Sequence, residues 1–327
     1  MSDATGTPTA PTAAPATGVL GIHHVTAIAG DAQANLDFYT RVLGLRLVKR
    51  SVNQDAPTTY HLFYADAAGT PGTDITFFPW PEMGLGRSGA GLAEEIPFAV
   101  PPGSLAWWAA WFDRHAVARD GAATRFSEPT LPFADPHGLR LALVETAGAR
   151  PFAPWPASPV PEAHQIRGMH AVRLVVRDAE PTARFMTGVL GFTRVGEDGG
   201  WTRYAAADGG SGTYAELRAE PGARLGAWGT GVVHHVAWRV PDATTELAVR
   251  AAVADAGLRP TETIDRFWFQ SVYFREPGGV LFEVATIAPG FTVDEDLAFL
   301  GRELRLPPWE EPYRASIEAN LVPVTYR

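Results

Sequence analysis

Apolar and polar positions along the chain fall into four similar blocks. Each opens on a short apolar run started by glycine: GIHHVTAI at 21–28, GLAEEIPFAVP at 91–101, GMHAVRLVVR at 168–177 and GVVHHVAWRVP at 231–241. Such runs read as buried strands. In the first block Leu36, Phe38, Tyr39, Val42 and Leu43 recur at helical spacing behind Asp31, a side chain suited to an N-cap, and Gly44 ends the helix. LRLVKRSV, TTYHLFYAD and DITFF follow, separated by turn sequences such as GTPGT, and predict three more strands. The unit is βαβββ.

The blocks are related in pairs. Residues 21–45 align without a gap on 168–192, so that His23, Asp31 and Phe38 recur as His170, Asp178 and Phe185, and residues 91–101 align on 231–241. ADPHGLRLALVE at 134–145 likewise resembles REPGGVLFEVA near 275–285. The chain therefore reads as a duplicated two-module unit of α+β class, with modules at 20–80, 91–146, 167–220 and 231–287. The expected organisation is a disordered Ala/Thr/Pro tail (1–19), an N-terminal domain of modules one and two (20–150) and a Pro-rich linker (151–166). A C-terminal domain of modules three and four (167–290) and a C-terminal arm (291–327) complete it.

Composition narrows the function classes. With 327 residues, 46% hydrophobic and 19% charged, the chain can bury two sizeable cores. A net charge of −9 and no Lys/Arg cluster argue against nucleic acid and membrane partners. No run of about 18 apolar residues and no signal-peptide pattern occurs, so the expected location is cytoplasmic; oligomerisation is left open. Because the sequence contains no cysteine, thiolate metal sites and a cysteine nucleophile are excluded, and any metal must be held by His, Asp or Glu.

Chemistry concentrates in the first and last modules. His23–His24 and His234–His235 sit in opening strands, and Glu283 lies between Phe282 and Val284 in the final strand. A carboxylate there loses hydration unless a cation or hydrogen-bond donors compensate. GIHHVTAI, GLRLVKRSVN, YHLFYAD, FFPWP, GVVHHVAW and YFREPGGVLFEVAT together resemble the vicinal oxygen chelate superfamily, and within it the ring-cleaving dioxygenases that act on hydroquinones. The resemblance covers nearly all of residues 20–300. It implies a non-haem Fe(II), with Mn(II) as the other ion, held by His24, His235 and Glu283. A small aromatic substrate and O2 would be the reactants. It further implies that His23, His234, Thr26 and Tyr273 line the site in acid–base roles, and it offers Arg266 as the counterpart of a family arginine.

The residues support the ligand set on other grounds. Neighbouring strand residues face opposite ways, so one histidine of each pair can point at a given ion. In the third module the position of His23 is kept as His170, whereas Ala171 stands for His24; in the second, Glu95 stands for His235 and Ala142 for Glu283. The duplicate has lost the ligands and kept a first-position histidine, which favours His24 and His235. Two imidazoles and a carboxylate form the facial triad of non-haem Fe(II) oxygenases. A glyoxalase-type isomerase or lyase would need a fourth ligand near Thr76 or Phe77, neither of which is suited to it. A non-catalytic small-molecule binding or resistance protein is the third reading. His61, His115, His137, His164, His170 and Glu216 are taken as structural or surface residues, while Phe267, Trp268 and Phe269 are candidates for an aromatic wall.

Overall fold

The computed structural model describes residues 18–148 and 150–326. Nearly all of the expected N-terminal tail, residues 1–17, lies outside them. Each block forms the expected module. Module one is β1 (Gly21–Ala29), α1 (Ala32–Asp37), β2 (Arg46–Asn53), β3 (Ala56–Ala65) and β4 (Asp74–Pro79). Module two is β5 (Leu92–Val100), α2 (Leu105–Arg114), β6 (Ala123–Arg125), β7 (Glu128–Ala134) and β8 (Arg140–Glu145). Module three is β9 (Ala171–Val176), α3 (Ala179–Gly188), β10 (Thr193–Asp198), β11 (Trp201–Ala205) and β12 (Tyr214–Ala219). Module four is β13 (Val233–Val240), α4 (Ala243–Asp255), β14 (Ile264–Asp265), β15 (Gln270–Arg275) and β16 (Leu281–Thr286).

Local signals act as the sequence suggests. The Asp31 carboxylate accepts from the Ala34 N–H at 2.7 Å, the N-cap contact that satisfies a free amide of α1. The helix then winds through a π-turn to Val42. Gly44 has φ +71°, and a Cβ there would stand 2.5 Å from the Ser158 Oγ of the Pro-rich segment, so a close approach and a left-handed turn both require glycine.

The modules combine in an order that the repeats do not reveal. Two curled eight-stranded sheets form, β14-β15-β16-β13-β1-β4-β3-β2 and β10-β11-β12-β9-β5-β8-β7-β6. Module one thus shares a sheet with module four, and module two with module three. This differs from the expected grouping of one with two and three with four. Every module exposes its first strand for antiparallel pairing, here β1 with β13 and β5 with β9, so the local pattern suits any partner. The chain crosses between the sheets twice, in segments 80–91 and 220–232, and these run side by side through the bridges Leu85–Thr230, Arg87–Ala227 and Ala90–Leu225.

One buried cluster joins both sheets and includes Ile22, Ile96, Val172, Val236, Trp238 and Phe282. The segment after β16 returns to module one. Lys49 of β2 is fully buried and binds Asp294 at 2.8 Å and also Glu295, which neutralises a cation that burial would otherwise make costly. Val52, Leu306, Ile317 and Leu321 complete that attachment. No helix among the described residues is long and apolar enough to cross a membrane.

Candidate metal centre

Because β1 pairs with β13 and β13 with β16, modules one and four carry His24, His235 and Glu283 to one place on the concave face. The two imidazole Nε2 atoms are 3.3 Å apart, and Glu283 Oε2 lies 3.4 Å from that of His24 and 2.9 Å from that of His235. Exposure is 1%, 3% and 0% for His24, His235 and Glu283, so no water shell compensates the carboxylate. Among the described residues this is the one group of three ligand-type side chains close enough to hold an ion.

The fit to a metal can be tested on the carboxylate itself. Ser271 Oγ donates to Oε1, which fixes the group, whereas Oε2 has no hydrogen bond despite two nearby imidazole nitrogens. The two Nε2 atoms and Oε2 lie within 4.8 Å of one another. Three ligands about 2.1 Å from an ion and at right angles stand about 3 Å apart, the spacing found here. Burial tends to raise the Glu283 pKa, but His24 and His235 outweigh it and hold it well below the usual carboxylate range. For His24 burial lowers the pKa, and the Glu283 carboxylate more than reverses this, whereas at His235 burial prevails and the pKa is lowered. The residues fit a divalent ion bound by two neutral imidazoles and a carboxylate.

The doubled histidines have a structural cause. The β1–β13 register slips between Ile22 and His24 and again between Thr26 and Ala27, which leaves His23 and His234 as the extra residue on each strand. Such bulges re-aim side chains. In place of strict alternation, each bulged ring lies against its neighbour, with Nδ1 atoms 2.9 Å apart in His23–His24 and 2.8 Å in His234–His235. With both ligand Nε2 atoms turned to the triad, each ligand Nδ1–H donates to the preceding histidine and thereby fixes its own tautomer. Burial, and then the neighbouring histidine, lowers His23 and His234 to about 3, so both are neutral acceptors.

A cavity of about 440 Å³ opens beside the triad. Phe63, Phe78, Trp80, Trp268 and Phe269 supply aromatic walls, and His234 faces into it, whereas His23 does not line it. Phe267 is also absent from the wall. Tyr273 pairs with Glu283 across β15 and β16, and its ring stands 5.6 Å from that of His235. Burial and the Glu283 charge raise its pKa well above the usual phenol range, so it keeps its proton. Arg266 lies 5.3 Å from the centre of the Tyr273 ring and pairs with Asp55 at 3.0 Å, so this arginine reaches the site. Thr26 Oγ1 is 2.9 Å from His235 Nε2.

Known proteins resemble the chain over most of its length. The family model for the Glyoxalase/Bleomycin resistance protein/Dioxygenase superfamily matches residues 21–119 and 168–284. The chain belongs to this superfamily. It is 40% identical to MhqA of Bacillus subtilis, provisionally named a ring-cleaving dioxygenase, over 94% of this chain and 99% of that protein. It is 35% identical to the chlorohydroquinone/hydroquinone 1,2-dioxygenase of Sphingobium indicum, over 89% and 92% of the two chains. The crystal structure of a Bacillus subtilis protein, provisionally titled a dioxygenase, superposes with a TM-score of 0.90 at 40% identity, covering 94% of this chain and 98% of that one. Maize glyoxalase I, at 16% identity and a TM-score of 0.64, shares the fold.

Within this superfamily fold the second sheet carries an equivalent cleft filled differently. Arg173 takes the place of Thr26 and Glu216 that of Thr76, and Glu95 replaces His235. Arg173 Nε lies 2.9 Å from Glu216 and its Nη1 3.4 Å from Glu95, while Arg125 also binds Glu95. Arg203 spans Glu216 and Glu128 at 2.7 Å each, and His170 reaches Glu128 at 3.2 Å. Two residues at the triad's own site escaped sequence reasoning. Ser271 lies two positions before Tyr273, a spacing that puts both on one strand face and could have flagged it. His61, taken as a structural or surface residue, is placed in the cavity wall; its strand gave no hint of which face was concave.

Proposed function

We propose that the protein is an Fe(II)-dependent dioxygenase that cleaves the ring of a hydroquinone, with Mn(II) as the other ion suited to the same donors. The observation carrying this reading is the three-donor set itself. No fourth ligand-type side chain joins His24, His235 and Glu283 among the described residues. Thr76, at the position where an isomerase would place its fourth ligand, is engaged with Thr26 at 2.7 Å and His61 at 2.8 Å. Three protein ligands on a six-coordinate ion leave positions for both a substrate oxygen and O2. The bound ion would supply the electron transfer between ring and O2 that a protein side chain cannot.

The chain supplies binding, dryness and protons. The aromatic walls take up a ring and exclude water. His234, neutral and facing the cavity, takes the His235 Nδ1–H on its own Nδ1 and so presents an Nε2–H that can donate a hydrogen bond to the ring oxygen turned to the triad. Tyr273 retains its proton and can donate a hydrogen bond to an oxygen that becomes negative. Arg266, held by Asp55, adds a fixed positive charge on the same side.

Oxygen electrode measurements on Fe(II)-loaded protein with hydroquinone test the reading. O2 uptake matched by loss of the ring's ultraviolet absorbance is expected. Absence of uptake, together with anaerobic isomerisation of a glutathione hemithioacetal, would replace it with the isomerase.

A further inference from the structure

On the flank of the cavity opposite Tyr273, hydrogen-bonding side chains form a continuous row across four adjacent strands, β13, β1, β4 and β3. His235 Nε2 lies 2.9 Å from Thr26 Oγ1, which lies 2.7 Å from Thr76 Oγ1, which lies 2.8 Å from His61 Nε2. The row begins at a triad nitrogen and ends on an imidazole that lines the cavity. His61 is clamped by Phe63 and Phe78, with ring centres at 3.8 and 4.5 Å. Its Nε2 is committed to Thr76, whereas its Nδ1 has no hydrogen-bond partner among the described residues and is not sealed in the protein interior.

The surroundings give that free nitrogen a meaning. The rings against His61 are those of Phe63 and Phe78, so a hydrogen-bonding atom between them discriminates between ligands that can meet it and ligands that cannot. Burial, followed by repulsion from His24 and His235, lowers the His61 pKa well below its ordinary value and keeps the ring neutral. Because His235 Nε2 carries a lone pair, Thr26 donates towards it, Thr76 donates to Thr26 and His61 Nε2–H donates to Thr76, which leaves His61 Nδ1 as an acceptor. A ring hydroxyl can donate to it. β3 stands two strand spacings of ~4.8 Å from β1, roughly 10 Å in all, so the atom lies on the side of the cavity remote from the ligand bearing strands.

We propose that His61 Nδ1 is the specificity-determining contact for a second hydroxyl on the substrate ring, the one that does not face the triad. His61 thereby selects dihydroxylated rings over monophenols. Thr76 and Thr26 act as positioning residues that hold its tautomer. The inference rests on the ring-cleavage reading for the choice of an aromatic ligand.

Ligand binding separates this contact from turnover. Trp80 and Trp268 line the cavity, so quenching of tryptophan fluorescence in Fe(II)-loaded protein under argon reports Kd for hydroquinone and for phenol. The unaltered protein should bind hydroquinone about fivefold more tightly, the worth of one net hydrogen bond of ~1 kcal/mol. In His61→Phe the ratio should fall to near one with the phenol Kd and iron content little changed. His61→Asn, which keeps a polar atom close to the Nδ1 position, should retain part of the preference. An unchanged ratio in His61→Phe, or equal weakening of both ligands, overturns the proposal. If the preference collapses as expected while hydroquinone supports no O2 uptake, the contact stands and the dioxygenase reading fails; uptake with an unaltered ratio in His61→Phe defeats the contact alone.

Discussion

The two sheets have the same strand order and matching register, and the β5–β9 pair retains a slip at Glu94, the counterpart of the one at His234. Yet one cleft gathers two imidazoles and a carboxylate, while the other is filled by Arg125, Arg173 and Arg203 against Glu95, Glu128 and Glu216. Both solve one problem. A carboxylate buried among strands needs a cation near it. The second sheet supplies that cation covalently as guanidinium groups, which occupy the space a substrate would need. The first leaves the Glu283 Oε2 lone pairs free, and so both needs an ion and retains a cavity. The same backbone becomes a reaction site or a solid ion-paired core according to whether the cation is exchangeable.

The contrast can be broken most forcefully at the ligands. His24→Ala, His235→Ala or Glu283→Ala should each bring metal content to background and abolish turnover, measured by elemental analysis on protein checked for folding. Equal loss in His164→Ala would show that stability had been measured in place of ligation.

Arg173→Met probes the opposite cleft. It leaves Glu95 and Glu216 each with one remaining arginine, so a loss of about 3 kcal/mol, at the low end for breaking a buried pair, is expected in urea denaturation, with metal content unchanged. A metal-dependent change would mean that the clefts are coupled.

Acid should act on the first cleft through its orienting histidines. His23 and His234 titrate at about 3 when folded, against an ordinary value of 6.5. The unfolded chain therefore binds more protons between pH 6.5 and 3, and stability is lost as pH falls through that window. At pH 5 each should cost metal-free protein about 2 kcal/mol relative to neutral pH. Denaturation at pH 5 and 7 of the unaltered protein and of His234→Asn tests this, and the variant should show the shallower dependence.

The smallest effect is expected from Ser271→Ala, which frees Glu283 Oε1 without removing a ligand. Metal affinity should weaken about tenfold, as measured by competition with a chelator, and loss of the donor to buried Oε1 should destabilise the protein by about 1 kcal/mol.

The four modules were legible in the sequence, and so was the choice of His24, His235 and Glu283 as candidate ligands, which the structure brings together. Their signals are local or repeated: strand and helix periodicity, the Asp31 cap, and a carboxylate in an apolar strand whose counterpart in the duplicate is Ala142. The tertiary structure alone decided that module one joins module four. Any first strand can pair with any other, and the entropic cost of the longer connection grows only slowly with length. It also decided the fate of the paired histidines. Simple alternation turns one ring of each pair away, and only the bulges at His23 and His234 lay the two rings together. His61 and the ion pairs around Arg173 were hidden for the same reason. A side chain's partners across a sheet depend on register and on which face becomes concave, and both arise only when distant modules meet.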